Sequence, residues 1–529
     1  MSAPPPAPAR PPVTAARSVV QSAKLIGLCT LTSRITGLVR DILLAQAFGL
    51  GWVQDAFSYG FTIPNLFRRL FGEGAMAPVF VPTFTRTLEQ EGKPAAWALL
   101  ARTLALLTLA LTGVLTLIAI ILAVVWLLFP ADPLKLSLTA VMLPFMLTVC
   151  VMALLSAILN CMHSFVPAAF APIILNLCMI AALLWIAPAA ARLAGVEGSR
   201  ALAYEAHVVA VCVVAAGVLQ VLFLLPALRR QGVVLGWRAD FRDPTVRRML
   251  RLLGPVALGQ GVLAFGVFLD AQICTMLTHV QDGATLASWF GLEFRYPLEA
   301  GALSALTYAQ RLYQFPLGVL VIALATAALP AFSRLAARGA WGEWAAEVRQ
   351  DLRLAVYEGI MAGTMMIVLA VPLVRLLFER GNFTPADTAR AAYVLIFYGI
   401  ALWAFCAQHI VQRAFYSTGD VRTPLVISAV LLPVNVALSV ALVWHPAIRE
   451  AAFALSSCVT SGAAVVAGAI ILGRRTGVPI LDGRMAGAVV RMLIAAAGAG
   501  LATWFVEPRW AALSTHVPGT LAARAVATL

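Results

Sequence analysis

Leu25–Gly49 reads LIGLCTLTSRITGLVRDILLAQAFG, with Arg34, Arg40 and Asp41 as its only charged residues. About 20 apolar residues in a helix cross the hydrocarbon core of a bilayer. The stretch lacks a short apolar region closed by a small-residue cleavage site, so it reads as a retained helix rather than a signal peptide. Arg34 and Asp41 lie seven residues apart and share a helix face, while Arg40 points about 120° away from Arg34. A cation at the bilayer centre costs about 2.5–3.5 kcal/mol on insertion scales. An apolar helix that keeps two arginines therefore turns them toward a polar cavity, a carboxylate or an anionic ligand.

The same oddity recurs downstream. Phe57–Phe84, FSYGFTIPNLFRRLFGEGAMAPVFVPTF, carries Arg68 and Arg69, and Arg311 opens RLYQFPLGVLVIALATAALP. Asn65, Arg68 and Arg69 fall on one side by their i, i+3, i+4 spacing, and Glu73 is four residues beyond Arg69. Asp55 is expected to cap the extracellular entry to this second helix. Arg40 has Asp41 and Asp55 as candidate ion-pair partners, and Arg69 has Glu73. Arg34, Arg68 and Arg311 have no obvious local carboxylate of their own. Guanidinium forks hold phosphate oxygens bidentately and stay charged, so these three suit a diphosphate.

The whole chain follows this pattern. Of 529 residues, 61% are apolar and 12% charged, against about 25% charged in soluble domains, and the mean hydropathy is +0.90. The expected fold is an all-α polytopic membrane protein with helices near 24–48, 56–88, 97–129, 135–162, 167–191, 202–228, 250–279, 303–334, 354–378, 389–417, 424–446, 451–472 and 485–506. A partial fourteenth helix lies within 511–529. Residues 1–23, Pro/Ala-rich at their start, read as a disordered cytoplasmic tail. The net charge of +14 does not point to nucleic acid, because the arginines concentrate in alternate short loops: 229–251, 334–353 and 473–491. By the positive-inside rule these loops and the amino terminus face the cytoplasm. The eight cysteines lack metal or disulfide spacing and read as small core residues.

The chain also repeats itself. Pro82-Thr83-Phe84-Thr85-Arg86 is matched by Pro330-Ala331-Phe332-Ser333-Arg334, 248 positions on, and Pro167 with Asn176 by Pro424 with Asn435. Two parallel six-helix lobes are expected, 24–228 and 252–472, related by a pseudo-two-fold axis along the membrane normal and joined by the basic linker 229–251. Transporters built from repeats hold their site between the halves and alternate access to it. In the seventh helix the lone carboxylate Asp270 is a candidate for binding a cation, carrying a proton or pairing with a buried arginine. Asn435 and Ser439 share a face of the eleventh helix. There is no Walker loop, no H-E-x-x-H and no G-x-S-x-G, and the loops are short, so a transporter is expected rather than an enzyme.

Ser33-Arg34-Ile35-Thr36-Gly37-Leu38-Val39-Arg40-Asp41, then Asp55-Ala56-Phe57, then Ile63 through Ala75, resemble the MurJ/MviN family of lipid II flippases. That family lies in the multidrug/oligosaccharidyl-lipid/polysaccharide exporter superfamily. Further matches are Leu159-Asn160, Pro167 through Pro172 with Asn176, Tyr308-Ala309 with Arg311, Phe378 through Gly381, and Arg413 through Tyr416 with Thr423-Pro424. The resemblance covers about residues 24–506. It implies fourteen helices, the last two, in 485–529, lining a groove for the lipid tail. It implies a multi-pass protein of the bacterial inner membrane, acting without a cofactor as a monomer among membrane lipids. Its cargo would be lipid II, the undecaprenyl-diphosphate disaccharide-pentapeptide, handed to the peptidoglycan synthesis machinery. The resemblance places Arg34, Arg40, Arg68 and Arg311 in the cavity, with Ser33, Asp41, Asp55, Asn65 and Glu73 as functional polar neighbours. Sodium, protons or membrane potential would drive transport, with Asp270 and Asn435 as a sodium site. The chain departs from the family at Gln310, Gln314 and Ser439, where members often or sometimes carry an acid. The rival readings are an exporter of another lipid-linked oligosaccharide or of a drug, whose cavity should be acidic for a cationic drug, and a polytopic glycosyltransferase, which needs a carboxylate–metal site.

Overall fold

The computed structural model describes residues 13–70, 76–128, 132–238, 265–279, 286–289 and 292–514, together with residues 240, 247 and 251. Fifteen helices account for nearly all of it. They are α1 (Val13–Phe48), α2 (Trp52–Phe67), α3 (Met76–Gln90), α4 (Lys93–Leu128), α5 (Pro133–Cys161), α6 (Phe165–Leu193), α7 (Ser199–Arg230) and α8 (Phe265–Met276). A two-stranded hairpin follows, β1 (Leu286–Trp289) paired with β2 (Leu292–Arg295), and then α9 (Ala302–Ala337), α10 (Trp341–Val368), α11 (Ala370–Phe378), α12 (Pro385–Ser417), α13 (Arg422–Leu442), α14 (Ala452–Thr476) and α15 (Gly483–Ser514). Among the described residues eight helices are long and apolar enough to span a membrane, and α10 with α11 make a ninth, bent by 71°. The chain is a multi-pass membrane protein.

Several expected boundaries move, each for a local reason. The helix starts at Val13, inside the segment read as a disordered tail, because Thr14-Ala15-Ala16-Arg17 and the residues after it are adequate helix formers that follow Pro11-Pro12. Residues 1–12 lie outside the described residues. The expected helix 56–88 is two helices. Pro64 brings no amide to the ladder, α2 ends three residues later, and Arg68–Leu70 wind into a π turn before α3 resumes at Met76. The 280–302 loop holds the hairpin, with Leu286 paired to Arg295, which an all-helical reading did not foresee. The last expected helix piece lies outside the described residues beyond Ser514.

Start signals are clear where the chain supplies them. Thr384 accepts from the Asp387 amide at 3.3 Å while Asp387 accepts from the Thr384 amide at 2.8 Å, with Pro385 at the first helical position of α12. That reciprocal box satisfies two orphan amides. At α15, Asp482 accepts from the Met485 amide and pairs with Arg353 of α10 at 3.2 Å, tying the two helices together.

Two compact units emerge, and they do not follow chain order. The first holds residues up to Leu43, 67–123 and 140–257, and the second holds 44–66, 124–139 and 258–529. The first unit packs α6 against α7, and buried Gln220 donates to the Ala171 carbonyl at 2.9 Å. The second is built around α10, α12 and α14, with small residues where backbones nearly touch. A Cβ on Gly363 would stand 2.3 Å from the Gly399 carbonyl oxygen, so α10 and α12 cross here only as a glycine pair. The ends of α1 and α2 join this unit because Gly60 lies against the Leu138–Thr139 backbone and Tyr59 donates to Gln272 of α8 at 2.8 Å.

Candidate functional site

The first unit gathers four of the expected site residues on α1. Arg40 donates from Nε and Nη2 to Asp41 Oδ1 at 2.9 and 2.7 Å, and from Nη1 to Asn176 Oδ1 of α6 at 2.9 Å. Asn176 in turn donates to the Ser33 carbonyl and the Thr36 hydroxyl, both at 3.1 Å. Arg40 and Asp41 side chains are 11% and 10% exposed, so this is a nearly buried, hydrogen-bonded pair. Of the two carboxylates within reach in sequence, Asp41 takes Arg40 and Asp55 does not. Ser33 enters the network through its backbone.

Arg34 differs from Arg40. It is exposed, six residues earlier on α1, and has no hydrogen-bond or ion-pair partner among the described residues. Arg68 and Arg69 open the π turn after α2 and are half-buried. A π turn widens the helix and commonly marks a functional position. Arg68 lies close enough to Cys150 of α5 to act on it electrostatically, and Cys150 approaches the Phe67 carbonyl at 3.7 Å. Asn65 is half-buried one turn before Arg68. Glu73 lies outside the described residues.

In the second unit Asp55 does not cap its own helix. Its Oδ2 accepts from the Gly301 amide at 2.6 Å, and its Oδ1 from the Ser304 amide at 2.8 Å and the Ser304 hydroxyl at 2.5 Å. These are orphan donors at the start of α9, where the helix dipole also favours a carboxylate. Asp55 thus binds the end of α2 to the start of α9. Asn382 reinforces the contact from the loop before α12, donating to the Ala47 carbonyl at 2.6 Å and to the Gln46 carbonyl at 2.9 Å. Arg311, half-buried, sits two turns into α9, one turn before Pro316 and the π turn Leu317–Val321.

Asp270 and Asn435 come together. Both line a cavity of about 230 Å³, with Gln310, Tyr398, Ser457 and Thr460 on its other walls. Asp270 Oδ1 is buried without a hydrogen-bond partner, and Asn435 donates to Thr460 at 3.2 Å and Ser456 at 3.4 Å, leaving its oxygen for another ligand. Ser439 turns from the cavity to bond Ser456 at 2.6 Å. One carboxylate with amide and hydroxyl oxygens suits a hard monovalent cation better than a transition metal. Among the described residues no cluster of three His, Cys, Asp or Glu could hold a metal. Gln310, where the family often has an acid, instead donates to the Tyr398 hydroxyl at 2.9 Å.

Sequence reasoning missed Gly301, Ser304, Arg390 and Glu450, which form the seat for Asp55. Arg390 was visible as a charge inside an apolar helix, whereas Glu450 looked like an ordinary loop acid.

Apolar spanning helices that carry arginines, a π turn at Arg68 and a buried carboxylate, Asp270, with an unsatisfied oxygen in a polar cavity fit a polytopic membrane transporter. The family model described as Lipid II flippase MurJ matches residues 44–524. A relative from Rhizobium meliloti (strain 1021), named probable lipid II flippase MurJ, is 32% identical over 453 residues, 84% of this chain and 78% of the relative. Among solved structures, a lipid II flippase MurJ in an inward closed conformation superposes with a TM-score of 0.68 at 20% identity, covering 95% of this chain and 96% of that one. An inward-facing multidrug resistance MATE family transporter of the MOP superfamily superposes at 0.65 with 13% identity, covering 84% and 94%. The chain belongs to the MurJ family of lipid II flippases and is a transporter, not an enzyme.

Proposed function

We propose that this chain carries lipid II from the inner to the outer leaflet of the cytoplasmic membrane, exposing its site to each face in turn. The observation that carries the reading is Arg34, a cation on an apolar helix with no partner among the described residues, near a second arginine already neutralised by Asp41. Arg34, Arg68 and Arg311 hold the diphosphate, each supplying a charge-assisted contact, while the polyprenyl tail stays in lipid. Arg40, Asp41, Asn65, Arg69 and Glu73 shape the pocket. No covalent bond changes, so binding strong enough to capture the headgroup and weak enough to release it is all that the arginines provide.

The proposed frame is two six-helix lobes, 24–228 and 252–472, with 485–529 as the lipid-groove helices. The repeat supports it. Phe84 lies 6.1 Å from Trp97, and Phe332 lies 6.5 Å from Trp344, with the two phenylalanines 248 and the two tryptophans 247 positions apart. The arginine-rich loops support a cytoplasmic amino terminus, and with it an Asp55–Ser304 contact on the outer face. The protein acts as a monomer and passes its cargo to the peptidoglycan synthesis machinery.

A strain depleted of its own flippase and supplied with this chain should grow and should leave lipid II accessible to an external probe. Accumulation of probe-shielded lipid II in that strain would count against the reading. Sodium is the favoured driving ion, with Asp270 and Asn435 as ligands. Asp270→Asn should abolish sodium binding to the purified protein, read by isothermal calorimetry, with the fold intact. Unchanged binding in that variant removes Asp270 from the sodium site.

A further inference from the structure

Asp55 does not hold its seat alone. The seat is a short strap, Glu299-Ala300-Gly301, whose last residue is confined from two sides. Gly301 has φ +93°, and a Cβ there would stand 2.9 Å from the Leu50 carbonyl oxygen and 3.0 Å from Arg390 Nη1. Arg390, in the second turn of α12, grips the strap from behind. Its Nη1 donates to the Ala300 carbonyl at 2.6 Å and its Nη2 to the Glu299 carbonyl at 3.0 Å. Its Nε donates to Glu450 at 2.5 Å, in an ion pair whose carboxylate is 4% exposed. The other Glu450 oxygen is buried with no hydrogen-bond partner. At the outer end of the strap, Arg449 pairs with the Glu299 side chain at 2.7 Å and holds that carboxyl below its usual range.

Three layers result: Asp55 on the strap amides, Arg390 on the strap carbonyls, Glu450 on Arg390. The first layer opens and closes if the protein alternates access. The second and third lie wholly between α12, the strap and the segment before α14, so they need not break when Asp55 leaves. A bidentate arginine on two carbonyls fixes the direction in which the Gly301 and Ser304 amides point. Without it those amides reorient, and Asp55 loses donors whose geometry is already set. A buried arginine that engages two carbonyls needs a counter-charge, which Glu450 supplies.

We propose that Arg390 and Glu450 are positioning residues for transport: they hold the Glu299–Gly301 strap in the one geometry that Asp55 can latch, and so set the balance between the closed and open outer face. Their part in transport rests on the flippase reading, whereas the measurement that tests the latch needs no substrate. Spin labels at exposed Pro133 and Ala386, both in the second unit, report the outer-face distance in a cysteine-free background. A control pair at exposed Leu117 and Val211 lies within the first unit. In the parent, the Pro133/Ala386 pair should show a dominant short-distance population. Arg390→Ala and Glu450→Ala should each lower its ratio to the long-distance population by about tenfold or more. Glu450→Gln, which keeps an acceptor but not the charge, should fall between. The double variant Arg390→Glu/Glu450→Arg should not restore the parent ratio, because a glutamate cannot donate to the strap carbonyls. An unchanged ratio in Arg390→Ala overturns the proposal. So does a change in the control pair, which would mark the two residues as general supports of the fold. If the distances shift as expected yet the variants flip lipid II as the parent does, the latch stands and its link to transport fails.

Discussion

Replacing Arg34, Arg68 or Arg311 with alanine is expected to abolish complementation of a flippase-depleted strain while the protein still inserts. Each guanidinium offers a diphosphate one charge-assisted hydrogen bond or a bidentate pair, worth about 1.5–3 kcal/mol per bond. Loss of a single arginine then lowers occupancy of the loaded site by about 10- to 150-fold. Lysine should rescue only in part, because a point charge cannot reproduce the planar fork. The comparison with Arg40 separates ligand from scaffold. Arg40 already spends its donors on Asp41 and Asn176. Arg40→Ala leaves Asp41 buried without its ion-pair partner, so it should also lower thermal stability. Arg34→Ala should leave stability unchanged, because Arg34 has no partner among the described residues. Headgroup binding to detergent-purified variants, with thermal unfolding alongside, checks both halves. Equal stability losses at Arg34 and Arg40 would remove the distinction.

Asp55→Ala should have the second-largest effect. The carboxylate accepts three hydrogen bonds, two of them from amides that open α9. Charge-assisted bonds of this kind contribute about 1.5–3 kcal/mol each. Part returns when water solvates the freed amides, so a net shift of about 2–4 kcal/mol is a fair figure. That moves the equilibrium between closed and open outer faces by about 30- to 1000-fold. A carrier held open on one side cannot cycle, so transport should fail although cargo still binds. Asp55→Asn keeps the shape but weakens the bonds and should retain partial activity. Reagent access to a cysteine at Leu50, which abuts Gly301, should rise in Asp55→Ala. Unaltered access would show that the contact is not a latch.

The fold was largely legible because its signal is a coarse one. Some 20 apolar residues in a row need no tertiary context to be read, and the ends of α4, α5, α6, α7, α12, α13 and α14 lie within a few residues of their sequence-based estimates. What was illegible depends on packing. The π turn at Arg68 arises where α2 fails to continue, and composition alone reads a single helix through it. The partner of Asp55 is a helix start 246 positions away, while local spacing offered only its own helix. Asn176 stood out as half of a repeat, but its bonds to Arg40, Ser33 and Thr36 needed three dimensions. Asp270 and Asn435 were paired through a family resemblance, and the shared cavity gives that pairing a physical setting. Glu450 was the hardest to see, since an acid between Arg449 and Ala451 looks solvated until Arg390 is placed against it.

We propose that this chain moves a lipid-linked diphosphate through a site built on the arginines of its apolar helices. Reconstitution tests it most directly. Purified protein goes into liposomes carrying fluorescent lipid II, and the fraction reaching the outer leaflet is read with a membrane-impermeant quencher. Transfer well above that of empty liposomes, lost in Arg34→Ala and retained in a surface variant such as Lys93→Ala, is the predicted result. Transfer by Arg34→Ala equal to that of the parent would contradict the account.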